Sequence, residues 1–265
     1  MMNQIITRKT ALVALAALLW LLPLGASAQT VRGDFDYDGD FDISDLTLLI
    51  NRLLNDEWND IPQDVERETV TVNGVPFVMV HVEGGTLTHE DGAMYVLNDY
   101  WMGETEVTRE LWSAVMGGSD NSRLPASEKS WNDCQAFIDS LNALTGRTFR
   151  LPRCAEWEFA ARGGNRSRGY TYCGGNDLDV VGWYCDNANE IREVGLLKCN
   201  ELGLYDMSGN VWEWSQDTYP TSSGSEQKWY CGGKGNSLPA ANTPSERDHY
   251  YRHLGPTYSG FRLAM

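Results

Sequence analysis

Beyond Gly163-Gly164 the chain runs to residue 265 without a long helical period, yet it is dense in Gly, Asn, Trp and Tyr. Such a stretch cannot form a helical bundle; it has to pack short strands and irregular turns around aromatic side chains. Helices are expected only upstream. Val70 to Val82 (VTVNGVPFVMVHV) gives two β-rich runs about Asn73-Gly74, a hairpin signal. Thr108 can cap a short helix carrying Leu111, Trp112, Val115 and Met116. Ser130 with Asp133 makes a capping box for a second helix, whose Cys134, Phe137, Ile138, Leu141 and Leu144 share one face until Gly146 ends it. A third helix is expected from about Ala155 to Arg162. The sum is an α+β domain over residues 70–265, with much loop.

What precedes it has a different character. Arg8 and Lys9 lead into an apolar run from Ala11 to Leu24, then Ala26-Ser27-Ala28 before Gln29. A positive start, a short apolar core and a small-x-small site describe a signal peptide over 1–28, cleaved after Ala28. The rival, a membrane anchor, is opposed by the shortness of the run and by Pro23 and Gly25. No later stretch is apolar enough to span a bilayer, so a secreted or extracytoplasmic protein is expected. Losing the leader takes the formal net charge from −16 to −18, which argues against a general nucleic-acid binder.

Residues 29–54 hold an acidic loop. Numbered from Asp34, the run DFDYDGDFDISD places Asp34, Asp36, Asp38, Asp42 and Asp45 at positions 1, 3, 5, 9 and 12. Gly39 takes position 6 and the carbonyl of Asp40 position 7, the spacing of an EF-hand calcium loop with Asp as the last ligand. So many carboxylates on one turn repel one another unless a hard cation neutralises them. Ile43, Leu46, Leu49, Ile50, Leu53 and Leu54 follow at helical spacing. The alternative is a solvated acidic linker. The segment resembles one half of a dockerin, which implies a cohesin-like scaffold partner, but a dockerin carries two such repeats. Residues 55–69 (NDEWNDIPQDVERET) read as a linker.

Five blocks in the large domain stand in one order: GETEVTRELWSAVMG (103–117), SWNDCQAF (130–137), FRLPRCAEWEFAARGG (149–164), NELGLYDMSGNVWEW (200–214) and GFRLA (260–264). Together they resemble the formylglycine-generating-enzyme family, the sulfatase-modifying factors. The resemblance implies a variant of the C-type lectin fold. It also implies a structural calcium ion at Asn210 and Glu213, and a second one to which Asn187 and Asn189 would correspond. Glu156 and Glu158, with Arg150 and Arg162 nearby in sequence, read as structural ion pairs rather than catalytic acids.

Catalytic members of that family hold copper with a Cys-x4-Cys pair after a Gly-Gly turn. Here the turn is Cys231-Gly232-Gly233 and no cysteine follows, so copper and formylglycine generation are not expected. Cys134, Cys154, Cys173, Cys185, Cys199 and Cys231 form no CxxC pair, which argues against structural zinc; six thiols outside the cytoplasm permit fifteen disulfide connectivities. Cys134, on an apolar helix face, reads equally as a free thiol. His249 and His253 read as loop residues rather than as a metal site.

A binding role is the better-supported expectation. Trp229, Tyr230, Arg247, Asp248, His249, Tyr250, Tyr251, Arg252, His253 and Tyr258 are of the residue types that make contact surfaces. They are expected to present a C-terminal loop face to a protein or glycan, although Trp229 and Tyr230 read equally as core. One family branch, the variable proteins diversified by a retroelement, has a similar composition over 247–258. The rival is an oxidoreductase that converts a sulfatase cysteine to formylglycine, or another enzyme on the same scaffold. For the acidic loop, calorimetry with calcium should show one site there, and the double variant D34N/D38N should abolish it.

Overall fold

The computed structural model describes residues 61–188, 190–221 and 226–265. The acidic loop, from Asp34 to Asp45, and the leader lie outside the described residues, as does Asn189.

The domain opens with the expected hairpin. Strands β1 (Arg67–Val72) and β2 (Val75–Val82) pair antiparallel, and β5 (Tyr100–Gly103) completes the sheet in the order β1-β2-β5. Asn73 and Gly74 both take positive φ, 48° and 87°, which a two-residue turn of the right twist demands. Strand β1 begins inside the segment expected to be a linker, because Arg67 is tied down by Glu104 at 2.5 Å and by the carbonyls of Leu202 and Gly203. A small hairpin of β3 (Thr86–Thr88) and β4 (Met94–Val96) lies between β2 and β5 in sequence.

Three helices follow where caps and periodicity place them. Helix α1 (Arg109–Met116) has Thr108 at its N-cap, accepting from the Leu111 N–H. Helix α2 (Trp131–Thr145) starts at the Ser130–Asp133 capping box and stops at Gly146 in the left-handed region. Cys134, Phe137, Ile138 and Leu141 are buried on its inner face. Leu144, expected on that face, is 52% exposed: it sits in the final turn, beyond the last contact with the core. Helix α3 (Cys154–Ala161) is buried almost all round. A single turn, α4 (Leu178–Val181), is the last α-helical element among the described residues.

The second sheet has the order β8-β7-β6-β9, from β6 (Trp212–Tyr219), β7 (Gln227–Cys231), β8 (Arg247–Tyr251) and β9 (Ser259–Gly260). The chain end then returns to the first sheet: Trp101 and Met265 exchange both backbone hydrogen bonds, as do Arg150 and Ala264.

At the centre stands an ion pair. Arg262 and Glu213 are both fully buried; the guanidinium Nε and Nη2 donate to the two carboxylate oxygens at 2.6 Å each. The remaining donors go to the carbonyls of Gly103 at 3.1 Å and Tyr205 at 2.9 Å, and Trp157 Nε1 adds a third hydrogen bond to Glu213 at 2.6 Å. Glu106 and Asp206 are buried nearby. Burial, then the charges of Asp206 and Glu213, push the Glu106 carboxyl well above its usual range. Burial lifts Asp206 to about 6, against the pull of the Gly195 N–H and Arg262.

Two outcomes follow from this centre. Glu213→Gln leaves a buried guanidinium without its counter-charge and should cost about 3–5 kcal/mol in urea unfolding. Asp206 binds its proton more tightly folded than unfolded, so its stabilising contribution is full below the ordinary carboxylate value and is lost as pH rises through about 6. Asp206→Asn should therefore flatten the fall in thermal midpoint across that window.

Candidate functional site

Register decides which expected binding residues meet. In the β7–β8 ladder Cys231 opposes Arg247, Trp229 opposes His249 and Gln227 opposes Tyr251, while Tyr230 opposes Asp248 and Lys228 opposes Tyr250. Side chains alternate along a strand, so these pairs divide between the two faces of the ribbon. The expected single surface is two.

On one face the residues hold each other. Tyr219 stacks on His249 with ring centroids 3.5 Å apart, Trp229 meets both edge-on, and His249 Nδ1 donates to Gln227 Oε1 at 2.6 Å. Arg247 lies over the Trp229 ring at 5.1 Å and donates from Nη2 to His89 Nε2 at 3.0 Å. An arginine can only donate, so His89 carries its hydrogen on Nδ1, which faces Glu158 Oε2 at 2.6 Å. Arg162 closes the chain by donating to Glu158 Oε1 at 2.9 Å, and Arg150 pairs with Glu156 through both oxygens. These are the structural ion pairs expected of Glu156 and Glu158.

The opposite face opens into a cleft of ≈ 550 Å³. Tyr230 and Asp248 from the ladder line it together with Trp212, Lys234, Asn236 and Tyr258. Trp212 and Tyr230 pack with centroids 4.8 Å apart, the Lys234 ammonium stands 5.7 Å from the Tyr258 ring, and the Tyr230 hydroxyl faces Asp248 Oδ2 at 3.4 Å. Burial and the neighbouring Asp248 push the Tyr230 phenol up, so it serves as a neutral donor. Tyr230 is thus buried, as a core residue would be, while its hydroxyl end borders the cleft. Aromatic walls with one cation and one carboxylate can orient a polar ligand.

Trp212 and Lys234 were not among the residues singled out from the sequence. The Trp-Glu-Trp run looks like scaffold; Trp212 is half-buried because it is the first residue of β6, while Trp214, two residues on, is fully buried. Tyr250 and Tyr251 are exposed, Arg252 pairs with Glu226 at 2.6 Å, and His253 lies past the end of β8, 5.8 Å from the Tyr251 ring.

The calcium expectations at Asn210 and Glu213 meet a different arrangement. Both Glu213 oxygens are occupied by N–H donors. Asn210 Oδ1 accepts from the Arg192 N–H at 2.9 Å, and its Nδ2 donates to Glu106 Oε1. Asn187 holds a turn, accepting from the Tyr184 N–H and donating to the Gly182 carbonyl, each at 2.9 Å. The Glu213 oxygens are thus turned toward N–H donors, while each asparagine oxygen accepts one N–H. Among the described residues no group of three His, Cys, Asp or Glu side chains converges as a metal site, and no helix is long and apolar enough to cross a membrane.

Cys231 and Cys154 are both buried in the core cluster that holds Trp157 and Met207, not in an open groove.

Comparisons with known proteins agree with this architecture. Residues 58–265 match the sulfatase-modifying factor enzyme 1-like domain. The chaperone protein LppX of Paenibacillus barcinonensis is 30% identical over 224 residues, covering 62% of this chain and 80% of that protein. The inactive C-alpha-formylglycine-generating enzyme 2 of Mus musculus is 35% identical over 130 residues, 43% of this chain and 40% of the relative. Among solved structures, variable protein 1 of Treponema denticola superposes with a TM-score of 0.68 at 26% identity, covering 75% of this chain and 98% of that one. The mixed α+β fold is therefore the formylglycine-generating-enzyme-like, C-type-lectin-like one. The chain belongs to the sulfatase-modifying factor enzyme 1-like domain family.

Proposed function

We propose that this is an exported, calcium-binding protein whose large domain is a non-catalytic binding module, with a protein or glycan ligand seated in the Trp212–Tyr230–Tyr258 cleft. The observation that carries the reading is the cleft itself: the exposed Asp248 carboxylate and the half-buried Lys234 stand against aromatic walls, on strands and loops held by a buried core. Rigid rings contribute contact area at low entropic cost, and Lys234, Asn236 and Asp248 supply directional contacts at the rim. The N-terminal acidic loop binds one calcium ion in this reading, and a cohesin-like scaffold is its candidate partner. The likeness to a variable protein supports diversification of the loops after β7. A near-copy of codons 228–260 in the source genome, differing at adenines, would support it further, and the lack of one would remove it.

The competing reading is thiol oxidation at a copper pair. It is disfavoured because no cysteine follows Cys231 and because Cys154 and Cys231 are buried. Two experiments separate the readings. Incubation with a sulfatase-motif peptide, copper and oxygen should leave the peptide cysteine unchanged; an aldehyde product would overturn the binding-only assignment. Screening on peptide and glycan arrays should identify one ligand class, and Asp248→Ala and Tyr258→Ala should each weaken that binding by about tenfold or more while leaving the thermal midpoint in place.

A further inference from the structure

Strand β4 is exposed along its whole length: Met94 is 70% exposed, Tyr95 37% and Val96 84%. No other three consecutive large apolar side chains are exposed among the described residues. Its partner β3 is half covered: Leu87 lies in the core cluster with Phe159, while Thr86 and Thr88 are exposed. Register sets Thr86 opposite Val96 and Thr88 opposite Met94, so these four share the solvent face of the hairpin.

The backbone of β4 is equally open on one side. Gly85 and Leu97 exchange both backbone hydrogen bonds, at 3.1 and 2.8 Å, and the His89 N–H donates to the Ala93 carbonyl at 2.9 Å. Hydrogen-bonded pairs recur at every second residue of an antiparallel ladder, so Leu87 and Tyr95 form the pair in between. The N–H and C=O groups of Met94 and Val96 therefore point away from β3, along the outer edge of β4. Among the described residues no strand pairs with that edge. Residues 86–96 also contain neither a lysine nor a proline, the residues that ordinarily protect an edge.

Charge decides which strand fits there. Residues 83–99 hold Glu83, Glu90, Asp91 and Asp99, and no Lys or Arg. Glu90 is engaged by Arg162 and Ser245. Asp91 and Asp99 are exposed and pair with no Lys or Arg among the described residues, Asp99 meeting the His81 ring at 3.6 Å. The two stand three residues before Met94 and three after Val96. A second copy of the chain, adding antiparallel about Tyr95, would bring each Asp99 towards the other's Asp91, an unfavourable like-charge approach at both ends. A strand with basic ends would meet a carboxylate at each.

We propose that the outer edge of β4 is a docking strand for an extended segment of a partner protein, with apolar side chains at the residues paired with Met94 and Val96 and with Lys or Arg beyond each end. Backbone hydrogen bonds at Met94 and Val96 hold the segment; the apolar pairs and the basic ends select it. This edge shares no lining residue with the Trp212–Tyr230–Tyr258 cleft.

The probe is the labelled peptide Lys-Lys-Thr-Val-Thr-Val-Thr-Lys-Lys, titrated with the full chain and followed by fluorescence anisotropy. It should bind about tenfold or more tightly than the same peptide with Glu in place of every Lys, and the preference should shrink as salt is raised. Val96→Pro removes the outward N–H without removing a hydrogen bond to β3, at an edge position where proline is tolerated, and should weaken binding by about tenfold or more. Val96→Lys, which sets a like charge beside the peptide, should do the same and serves where the proline disturbs the hairpin. Asp91→Asn with Asp99→Asn should abolish the preference for basic ends, and Tyr258→Ala should leave peptide binding unchanged. Absence of binding, equal binding of the two peptides, or full affinity in both Val96 variants overturns the proposal. So does a dimer of the chain alone that V96P dissolves in sedimentation, which would give the edge to a second copy.

Discussion

The fold depends on one buried charge pair. Arg262 comes from the last five residues and Glu213 from the centre of the second sheet, and the guanidinium distributes its donors between that carboxylate and the carbonyls of Gly103 and Tyr205. A lone guanidinium there would be strongly unfavourable, so both charges persist only with every donor and acceptor in place. That condition sets the position of β5, β6, the 205 loop and the chain end at once. Trp157 attaches α3 to the same carboxylate. The pair is better understood as a locator than as a source of net stability, since a well-packed apolar replacement of both residues would cost little.

Around that centre the molecule separates its two uses of aromatic and charged residues. On one face of the β7–β8 ribbon they satisfy each other: Arg247 is engaged by Trp229 and by His89, which in turn is held by Glu158 and through it by Arg162. On the other face the exposed Asp248 and the half-buried Lys234 stand beside aromatic walls. Composition alone makes no distinction between these groups. What separates them is the two-residue period of the strand acting on two registered partners.

The cysteines show how placement decides chemistry. A soft-metal oxidase site needs two thiolates that a substrate can reach. Here Cys154 and Cys231 lie buried in one core cluster with Trp157, where access is closed.

Much of the local architecture was legible in the chain. The Asn73-Gly74 turn, the Thr108 cap, the Ser130–Asp133 box and the Gly146 stop are short-range signals whose physics operates within a few residues, and each stands where it was expected. The ordered blocks marked the family, and the absence of cysteine after residue 231 followed from reading the tail. Tertiary structure alone decided the rest: that Glu213 pairs with Arg262, that Cys154 and Cys231 share one buried cluster, that Leu144 overhangs the core, and that residues 247–251 divide between two faces. Each of these depends on contacts between segments far apart in sequence, and on burial that turns a weak pairing in water into a constraint in the interior.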